Sequence, residues 1–342
     1  MNRRSFLQST VSALGATGLL SSFLASRAHA EVPTNAGVTA GDIAILKFLA
    51  AAELVEDDLW QQYCELAVNN PKFNAALRRI DPALVRYICD DRDDERSHAL
   101  LINAYLQAIG ETPVNLDSFR TLPSVSVQGA ANTGRLTNLT NLTVDTSWYN
   151  RYRSPANPDF EATFPQIVNI VNRPTIPTTD KLSATAIQAV AHSAAFHFAT
   201  IEQGGGSLYL SLMPKVSSLV VLDILGAIGP VEIYHFSAFH KSLERIFAVN
   251  AGGGLKFPNL RKNPNLAQAI FPEPCQFLTT GGVEPTTLPL CSVIRPRSTA
   301  KAGAVATATG LVQSGIFAGQ PQAFLDAVVA LAQGADSATR TL

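Results

Sequence analysis

The sequence predicts an all-α fold built around a bundle of four helices. Two short motifs, Glu95-Arg-Ser-His98 and Glu232-Ile-Tyr-His235, each place a Glu and a His three residues apart. On a helix this spacing brings both side chains to one face. Both motifs lie in long segments with helical apolar periodicity, and two other such segments each carry a Glu on the apolar stripe. We therefore expect four helices whose Glu and His side chains meet inside the bundle.

The first predicted helix runs from about residue 40 to residue 68, with Thr39 as its N-cap. Its apolar stripe includes Glu53, and a buried carboxylate is costly unless another group neutralises it. Glu56 and Asp57 follow one turn later. The sequence leaves open whether these two acids are ligands or solvated charges.

The second predicted helix carries the first motif. It extends from Pro82 to about residue 109, after a short helix at about 71–79. Glu95 and His98 lie on its apolar stripe. The acidic run at 90–94 mostly faces elsewhere, so we interpret it as solvated helix surface.

The third and fourth predicted helices supply the remaining candidates. The third runs from about 180 to 212 and has Glu202 on its apolar face. Three glycines at 204–206 follow it and indicate a local bulge or a close helix contact. The fourth helix runs from about 217 to 249, carries the second motif and contains a proline that predicts a kink.

Residues 39–250 are expected to form the bundle domain, and residues 251–342 an irregular C-terminal extension with a last amphipathic helix at about 321–332. Within the bundle, residues 111–178 form a 68-residue connection rich in Asn, Thr, Pro and Ser. A connection of this length can be the crossover that lets the third helix run parallel to the second.

Four cysteines are scattered through the chain. Cys275 and Cys291 flank Pro- and Gly-rich sequence and predict a disulfide that closes a 17-residue loop. Cys64 and Cys89 fall on helical stripes and are interpreted as small buried residues. No pair has the C-x-x-C spacing of a zinc ribbon or a thioredoxin-type site.

Residues 1–30 have the pattern of a twin-arginine signal peptide. Arg3-Arg4 precedes Ser-Phe-Leu, and a mildly apolar stretch leads to Ala28-His29-Ala30, a small-x-small cleavage site. Gln8 stands where that motif often has Lys, and an ordinary secretory signal or a retained anchor is the alternative. We expect a bacterial protein that is periplasmic or secreted, with no stable membrane insertion after cleavage.

The composition bounds the classes of partner. The formal net charge of the 342 residues is −1, so we expect no electrostatic attraction to nucleic acid or to an anionic membrane. Hydrophobic residues make up 46% of the chain and charged residues 15%, which predicts an extensive buried core. The composition is compatible with a homo-oligomer.

The order of these motifs resembles the ferritin-like superfamily. The stretches Lys47-Phe-Leu-Ala-Ala-Ala-Glu53-Leu-Val-Glu56, Asp94-Glu95-Arg-Ser-His98 and Glu202-Gln-Gly are similar to helices of the secreted ferritin-like proteins grouped with desiccation-related proteins. The resemblance covers about residues 40–249. It explains neither the extension nor the length of the crossover.

The resemblance implies a dinuclear metal site. Its ligands would be Glu53, Glu95 and His98 for one ion and Glu202, Glu232 and His235 for the other. In some relatives Glu95 and Glu232 bridge both ions. A carboxylate-rich set with two imidazoles suits iron or manganese, and the lack of inward thiolates argues against copper.

Two iron or manganese ions would support redox chemistry with O2 or H2O2, as in a ferroxidase, a peroxidase or a manganese-catalase-like enzyme. Trp60, Tyr105 and Tyr209 are candidate electron carriers, although a core role is the simpler interpretation. The alternative function is a non-enzymatic stress- or desiccation-related envelope protein with a structural or vestigial metal site. An iron-storage cage is disfavoured because the long crossover and the extension would obstruct a closed shell.

The other histidines fit the metal site less well. His192 and His240 match no ligand spacing and are interpreted as core or surface residues. His197 lies five residues before Glu202, which makes it a candidate hydrogen-bond partner of that carboxylate.

Overall fold

Helices dominate the part of the chain that the computed structural model describes, residues 37–149, 165–262 and 303–341. Four long helices form a bundle, and a short helix joins the first two of them. The helices are α1 (Ala40–Asn69), α2 (Pro71–Ile80), α3 (Leu84–Ala108), α4 (Ala184–Leu212), α5 (Leu219–Leu243), α6 (Ala304–Ser314) and α7 (Gln322–Asp336). The prediction of an all-α four-helix bundle is confirmed.

Helices α1 and α3 run antiparallel. Lys47, near the start of α1, pairs with Glu111 just beyond the end of α3 at 2.7 Å. Asp57, further along α1, pairs with Arg96 in the middle of α3 at 3.1 Å. Residue numbers therefore increase along α1 in the direction in which they decrease along α3.

Helix α1 is antiparallel to α4 as well. The hydroxyl of Tyr63 on α1 lies 2.8 Å from Nδ1 of His197 on α4, and the hydroxyl of Tyr209 on α4 donates to Glu53 on α1. Because α3 and α4 both oppose α1, they run parallel to each other. A short loop cannot join parallel helices, which is the reason for the long crossover.

The crossover is fixed to the bundle by a buried acid on α1. Asp58 Oδ2 accepts hydrogen bonds from the backbone nitrogens of Leu136 and Thr137 at 3.0 and 2.9 Å. Asp58 Oδ1 accepts a charged hydrogen bond from Arg120 at 2.7 Å. Charge-assisted bonds of this kind are stronger than neutral ones, so they anchor the crossover against α1.

A second acid joins two helix starts. Asp42 forms a capping box with Thr39 at the start of α1, and its carboxylate also accepts from the backbone nitrogens of Ser217 and Ser218 at 2.8 and 3.2 Å. Ser218 is the N-cap of α5. Asp42 therefore supplies acceptors for orphan N–H groups of both helices and fixes their ends side by side.

Two small antiparallel hairpins interrupt the helices. Strands β1 (Leu142–Val144) and β2 (Ile170–Arg173) pair within the crossover, and β3 (Val249–Gly252) and β4 (Leu255–Phe257) pair after α5. The sequence predicts a fourth bundle helix to about residue 249, whereas α5 ends at Leu243 because the following segment pairs as β3. Helix α6 is a further difference, since the sequence analysis did not predict it.

The cysteine assignment requires a correction. Cys64 on α1 and Cys89 on α3 form a disulfide, so the interpretation of both as small buried thiols is wrong. The antiparallel packing of α1 on α3 brings these two positions together across 25 residues of sequence. The predicted bond between Cys275 and Cys291 lies outside the described residues, as does the predicted signal peptide.

Helix α5 is apolar enough to meet a length-and-composition test for a membrane-spanning segment, and it is the one described helix that does. Core helices of bundles also pass this test. Within the fold, α5 packs on α4, and 39% of its most apolar window is buried.

Candidate metal centre

The six Glu and His residues that the sequence singles out converge inside the bundle. Glu95, Glu202 and Glu232 are fully buried, and Glu53, His98 and His235 are 2%, 7% and 5% exposed. They come from all four bundle helices: Glu53 from α1, Glu95 and His98 from α3, Glu202 from α4, and Glu232 and His235 from α5.

Four of these residues form a first cluster. Glu53, Glu95, His98 and Glu232 each offer a ligand atom within 4.8 Å of the others. Nδ1 of His98 lies at its centre, 3.3 Å from Glu53, 3.1 Å from Glu95 and 3.5 Å from Glu232. One imidazole nitrogen thus faces three carboxylates.

A second cluster lies beside the first and shares Glu95 with it. It consists of Asp91, Glu95, Glu202 and His235, again within 4.8 Å of one another. Nδ1 of His235 lies 2.6 Å from Asp91, 3.1 Å from Glu95 and 3.3 Å from Glu202. Two sets of four ligand atoms joined by a common carboxylate are compatible with a dimetal site.

The hydrogen bonding of the clusters is incomplete without a cation. Among the described residues, buried carboxylate oxygens of Glu53, Glu95 and Glu202, and both oxygens of Glu232, have no hydrogen-bond partner. Each Nδ1 carries at most one hydrogen, so it cannot satisfy three carboxylates. Unpaired buried carboxylates are heavily penalised, and divalent cations would remove that penalty. The residues present therefore fit a pair of metal ions.

A neighbouring acid orients His235. Its Nε2 lies 3.2 Å from Oδ2 of Asp94, on the opposite side of the ring from the second cluster. If Nε2 donates its hydrogen to Asp94, the lone pair of Nδ1 points at Asp91, Glu95 and Glu202. A carboxylate in this position is the usual partner of a metal-binding imidazole.

Two aromatic side chains contact the acids of the clusters. Trp60 Nε1 donates to Oε1 of Glu202 at 3.1 Å, and the Tyr209 hydroxyl donates to Oε1 of Glu53. The ring of Trp60 stacks on Phe239 with 5.1 Å between centroids. Both aromatics are therefore core residues that also hold a carboxylate in place.

Burial and mutual repulsion alter the protonation of the acids. Burial raises the pKa of Glu95 and of Glu232 well above its ordinary value, and adjacent carboxylates add to the shift. Burial likewise raises the pKa of Glu202 to about 8 and that of Asp91 to about 6. In the absence of cations, Glu95, Glu202 and Glu232 therefore retain protons near neutral pH, whereas Asp91 is largely ionised there.

Glu53 and His235 deviate in the direction that favours their charged forms. Burial alone would raise the pKa of Glu53, but contacts with His98, Glu95 and Tyr209 together lower that pKa. Burial alone would lower the pKa of His235, but Asp91 beside it raises that pKa instead.

A glycine on α4 leaves room for the Glu232 carboxylate of the first cluster. The Cβ of any other residue at Gly205 on α4 would overlap Oε2 of Glu232 on α5. At Gly206, a Cβ would come within 3.2 Å of Ile233. These glycines allow α4 and α5 to approach closely, which is one of the two explanations that the sequence leaves open for the glycine run.

The acidic run on α3 requires a second correction. The sequence pattern predicts solvated surface at residues 90–94, but Asp91 is 1% exposed and belongs to the second cluster. The available signal is spacing: Asp91 lies four residues before Glu95, and side chains four apart share a helix face. The grouping of Glu232 also differs from the one the resemblance implies, because it joins Glu53, Glu95 and His98.

Two acids on α1 and three further histidines that the sequence singles out lie outside the two clusters. Glu56 points inward, with Oε2 buried and without a hydrogen-bond partner among the described residues, whereas Asp57 pairs with Arg96. His197 contacts Tyr63 at 2.8 Å. His192 and His240 lie among aromatic rings in the core. None of these three histidines belongs to either cluster.

Comparison with known families agrees with this geometry. The family model described as a ferritin-like domain matches residues 41–245, which include α1 to α5 and both clusters. No curated protein and no solved structure matches the chain.

Proposed function

The chain belongs to the ferritin-like family, and we propose that it is an exported dimetal-carboxylate protein that performs redox chemistry with O2 or H2O2. The observation that carries the proposal is the pair of buried clusters joined by Glu95. When bound, two iron or manganese ions would supply the electron exchange that reaction with O2 or peroxide requires.

The ligand set favours hard divalent ions. Five carboxylates and two imidazoles make up the clusters, and neither contains a thiolate. Five ionised acids would carry five negative charges, of which two divalent cations would neutralise four. Oxygen-rich sites with some imidazole suit iron and manganese better than copper.

The side chains around the clusters support the same chemistry. Asp94 holds the ring of His235, Trp60 holds Glu202, and Tyr209 holds Glu53. Such contacts fix the orientation of ligands and exclude water from the site. The raised pKa of Glu202, about 8, implies that this acid releases a proton when cations bind near neutral pH.

Metal content and turnover test this proposal together. The protein is purified after loading with Fe(II) or with Mn(II), and its metal content, Fe(II) oxidation under O2 and H2O2 consumption are measured. We expect two ions per chain and turnover with one of the metals. Glu95→Gln should lose both properties, whereas Asp90→Asn, on the 67%-exposed carboxylate of the same helix, should keep them.

Each alternative has its own outcome in that experiment. Two bound ions without oxidation of Fe(II) or consumption of H2O2 would identify a structural site, as expected for a non-enzymatic stress or desiccation-related protein. Absence of metal at pH 8 would identify a vestigial site. Equal metal content in Glu95→Gln and the unaltered protein would reject the proposed ligands.

Export is the second part of the proposal. It is supported by the Arg3-Arg4 motif, the Ala28-His29-Ala30 cleavage site and the Cys64–Cys89 bond, since disulfides persist mainly in oxidising compartments. In a bacterial host, the protein should be recovered from the periplasm with its N-terminus at Glu31. Replacement of both Arg3 and Arg4 by Lys should retain it in the cytoplasm, and an unchanged distribution would contradict the twin-arginine route.

A further inference from the structure

A cavity of about 550 Å³ lies between α1 and α4. The β1–β2 hairpin and α6 complete its walls, with side chains from Thr143, Ile170, Ala308 and Leu311. Cavities of this size hold drug-sized organic molecules. Apolar side chains and glycines form most of the lining, among them Phe48, Val55, Leu59, Leu208 and Phe317.

The inner end of the cavity adjoins the metal centre. Glu56 lines the cavity one helical turn after Glu53, and its buried Oε2 has no hydrogen-bond partner among the described residues. Gly205 also lines the cavity, and its Cα hydrogens face Glu232 so closely that a Cβ would overlap Oε2. A single residue therefore separates the cavity from the first cluster.

Gly204 borders open space in the cavity. A Cβ at Gly204 would meet no atom within 4 Å, and Gly204 lines the cavity. Glycine within a helix costs about 1 kcal/mol relative to alanine, so three in succession are a substantial penalty. Close contact with α5 accounts for Gly205 and Gly206. At Gly204 no such contact exists, so a side chain there would meet only the open space of the cavity.

The charges of the lining restrict what the cavity can hold. The described lining includes the acids Glu56 and Asp145 but neither Lys nor Arg. His197 supplies no positive charge at neutral pH, because burial lowers its pKa to about 3. A carboxylate or phosphate would therefore be buried without a cation, which is costly. An uncharged molecule incurs no such cost.

We propose that this cavity binds a neutral, mainly apolar organic molecule and holds it next to the metal centre. The adjacency rests on the proposed dimetal function, but the binding itself requires only the side chains of this chain. The cavity thus indicates a class of ligand that the sequence alone does not indicate. This class consists of hydrocarbon-like molecules with at most an uncharged polar group.

The binding test uses metal-free protein and two matched ligands. The neutral fluorescent probe 1-aminoanthracene is titrated into the full chain and then displaced with 1-decanol or with decanoate. These competitors have the same chain length and differ in charge. We expect saturable probe binding, displacement by 1-decanol, and displacement by decanoate that is at least tenfold weaker. Absence of saturable binding, or equal displacement by both competitors, would overturn the proposal.

Cavity-filling variants locate the binding site. Gly204→Phe adds a ring to the cavity wall on α4, and Gly310→Phe adds one to the rim on α6, where the exposed Gly310 lines the cavity and a Cβ also meets no atom within 4 Å. Gly226→Phe is the control, because Gly226 is an exposed helical glycine with equally open surroundings outside the cavity. The first two should weaken probe binding at least tenfold, and the control should not.

The outcome is separable from that of the proposed function. Metal content of Gly204→Phe, measured in parallel, should stay at the value of the unaltered protein. If the protein binds the probe but no metal, ligand binding in the cavity is supported and the dimetal site is rejected. If two metals are bound but Gly204→Phe and Gly310→Phe leave the probe affinity unchanged, ligand binding in the cavity is rejected and the metal site is supported.

Discussion

Oδ1 of Asp91 lies 2.6 Å from Nδ1 of His235, the shortest of the contacts that this imidazole nitrogen makes with the second cluster. The two residues come from α3 and α5, which are separated by the whole crossover and by α4. Glu95 and Glu202 complete the same cluster. The contact places a fifth carboxylate in a site for which the sequence alone indicates four.

Asp91→Asn should weaken the second metal position selectively. The substitution keeps the shape of the side chain but removes the negative charge, so we expect affinity for one of two ions to fall at least tenfold, about 1.4 kcal/mol. Calorimetric titration of Mn(II) into metal-free Asp91→Asn should show two classes of site, one of them weakened. In the same titration of the unaltered protein, both sites should reach near-complete loading.

The control for this variant comes from the same acidic run. Asp90→Asn removes an identical charge from α3, but the Asp90 side chain is 67% exposed and pairs with Arg86 on the same helix. Its titration should match that of the unaltered protein. If both variants lost the same affinity, the effect would come from the overall charge of the helix and not from ligation.

Gly205→Ala should reduce metal binding with little loss of fold stability. The added methyl overlaps Oε2 of Glu232, and the flexible carboxylate can move aside, out of its position in the first cluster. Gly204→Ala is the matched comparison, because its methyl enters open space and should stabilise the helix by about 0.5–1 kcal/mol. Thermal unfolding and metal content of both variants would check this. Normal metal content in Gly205→Ala would contradict the geometry.

The stability of the metal-free protein should fall as pH rises from 6.5 to 9. Burial raises the pKa of Glu202 from 4.5 to about 8, so the folded state binds its proton more tightly than the unfolded state does. Such a group contributes stability below its unfolded pKa, and that contribution is lost as pH rises through the folded pKa. Asp91 acts in the same sense, but its pKa of about 6 places its loss below this pH interval, so the fall between pH 6.5 and 9 comes from Glu202.

Calorimetric unfolding with and without Mn(II) measures this dependence. The interval begins at pH 6.5 because burial lowers the pKa of His192 and of His197 to about 3, which gives the opposite slope at lower pH. With Mn(II) in excess, cations replace the protons and the transition temperature should stay level or rise with pH. Parallel slopes in both conditions would show that the acids do not bind the metal.

Removal of the Cys64–Cys89 bond should destabilise the bundle without emptying the metal site. The bond closes a loop across 25 residues of sequence, for which the chain-entropy estimate is about 3.5 kcal/mol. Urea unfolding of Cys64→Ala/Cys89→Ala would measure the loss. Cys275→Ala/Cys291→Ala is the companion variant, and its own loss of stability would report on the pair that the sequence predicts. No change in Cys64→Ala/Cys89→Ala would exclude the bond between α1 and α3.

The sequence by itself determined the four bundle helices, apart from the end of α5, and the inward faces of the two motifs. An i,i+3 spacing fixes the direction of both side chains as soon as the segment is helical, so Glu95 with His98 and Glu232 with His235 needed no tertiary information. The apolar stripes that contain Glu53 and Glu202 follow from the same periodicity.

Tertiary structure alone decided which of these side chains meet. The relative register of two helices depends on how their surfaces interlock, and local sequence does not encode it. That register brings Asp91 to His235, joins Cys64 to Cys89 and groups Glu232 with Glu53. It also leaves the space beside Gly204 unfilled, because a cavity is defined by the walls that several distant segments build together.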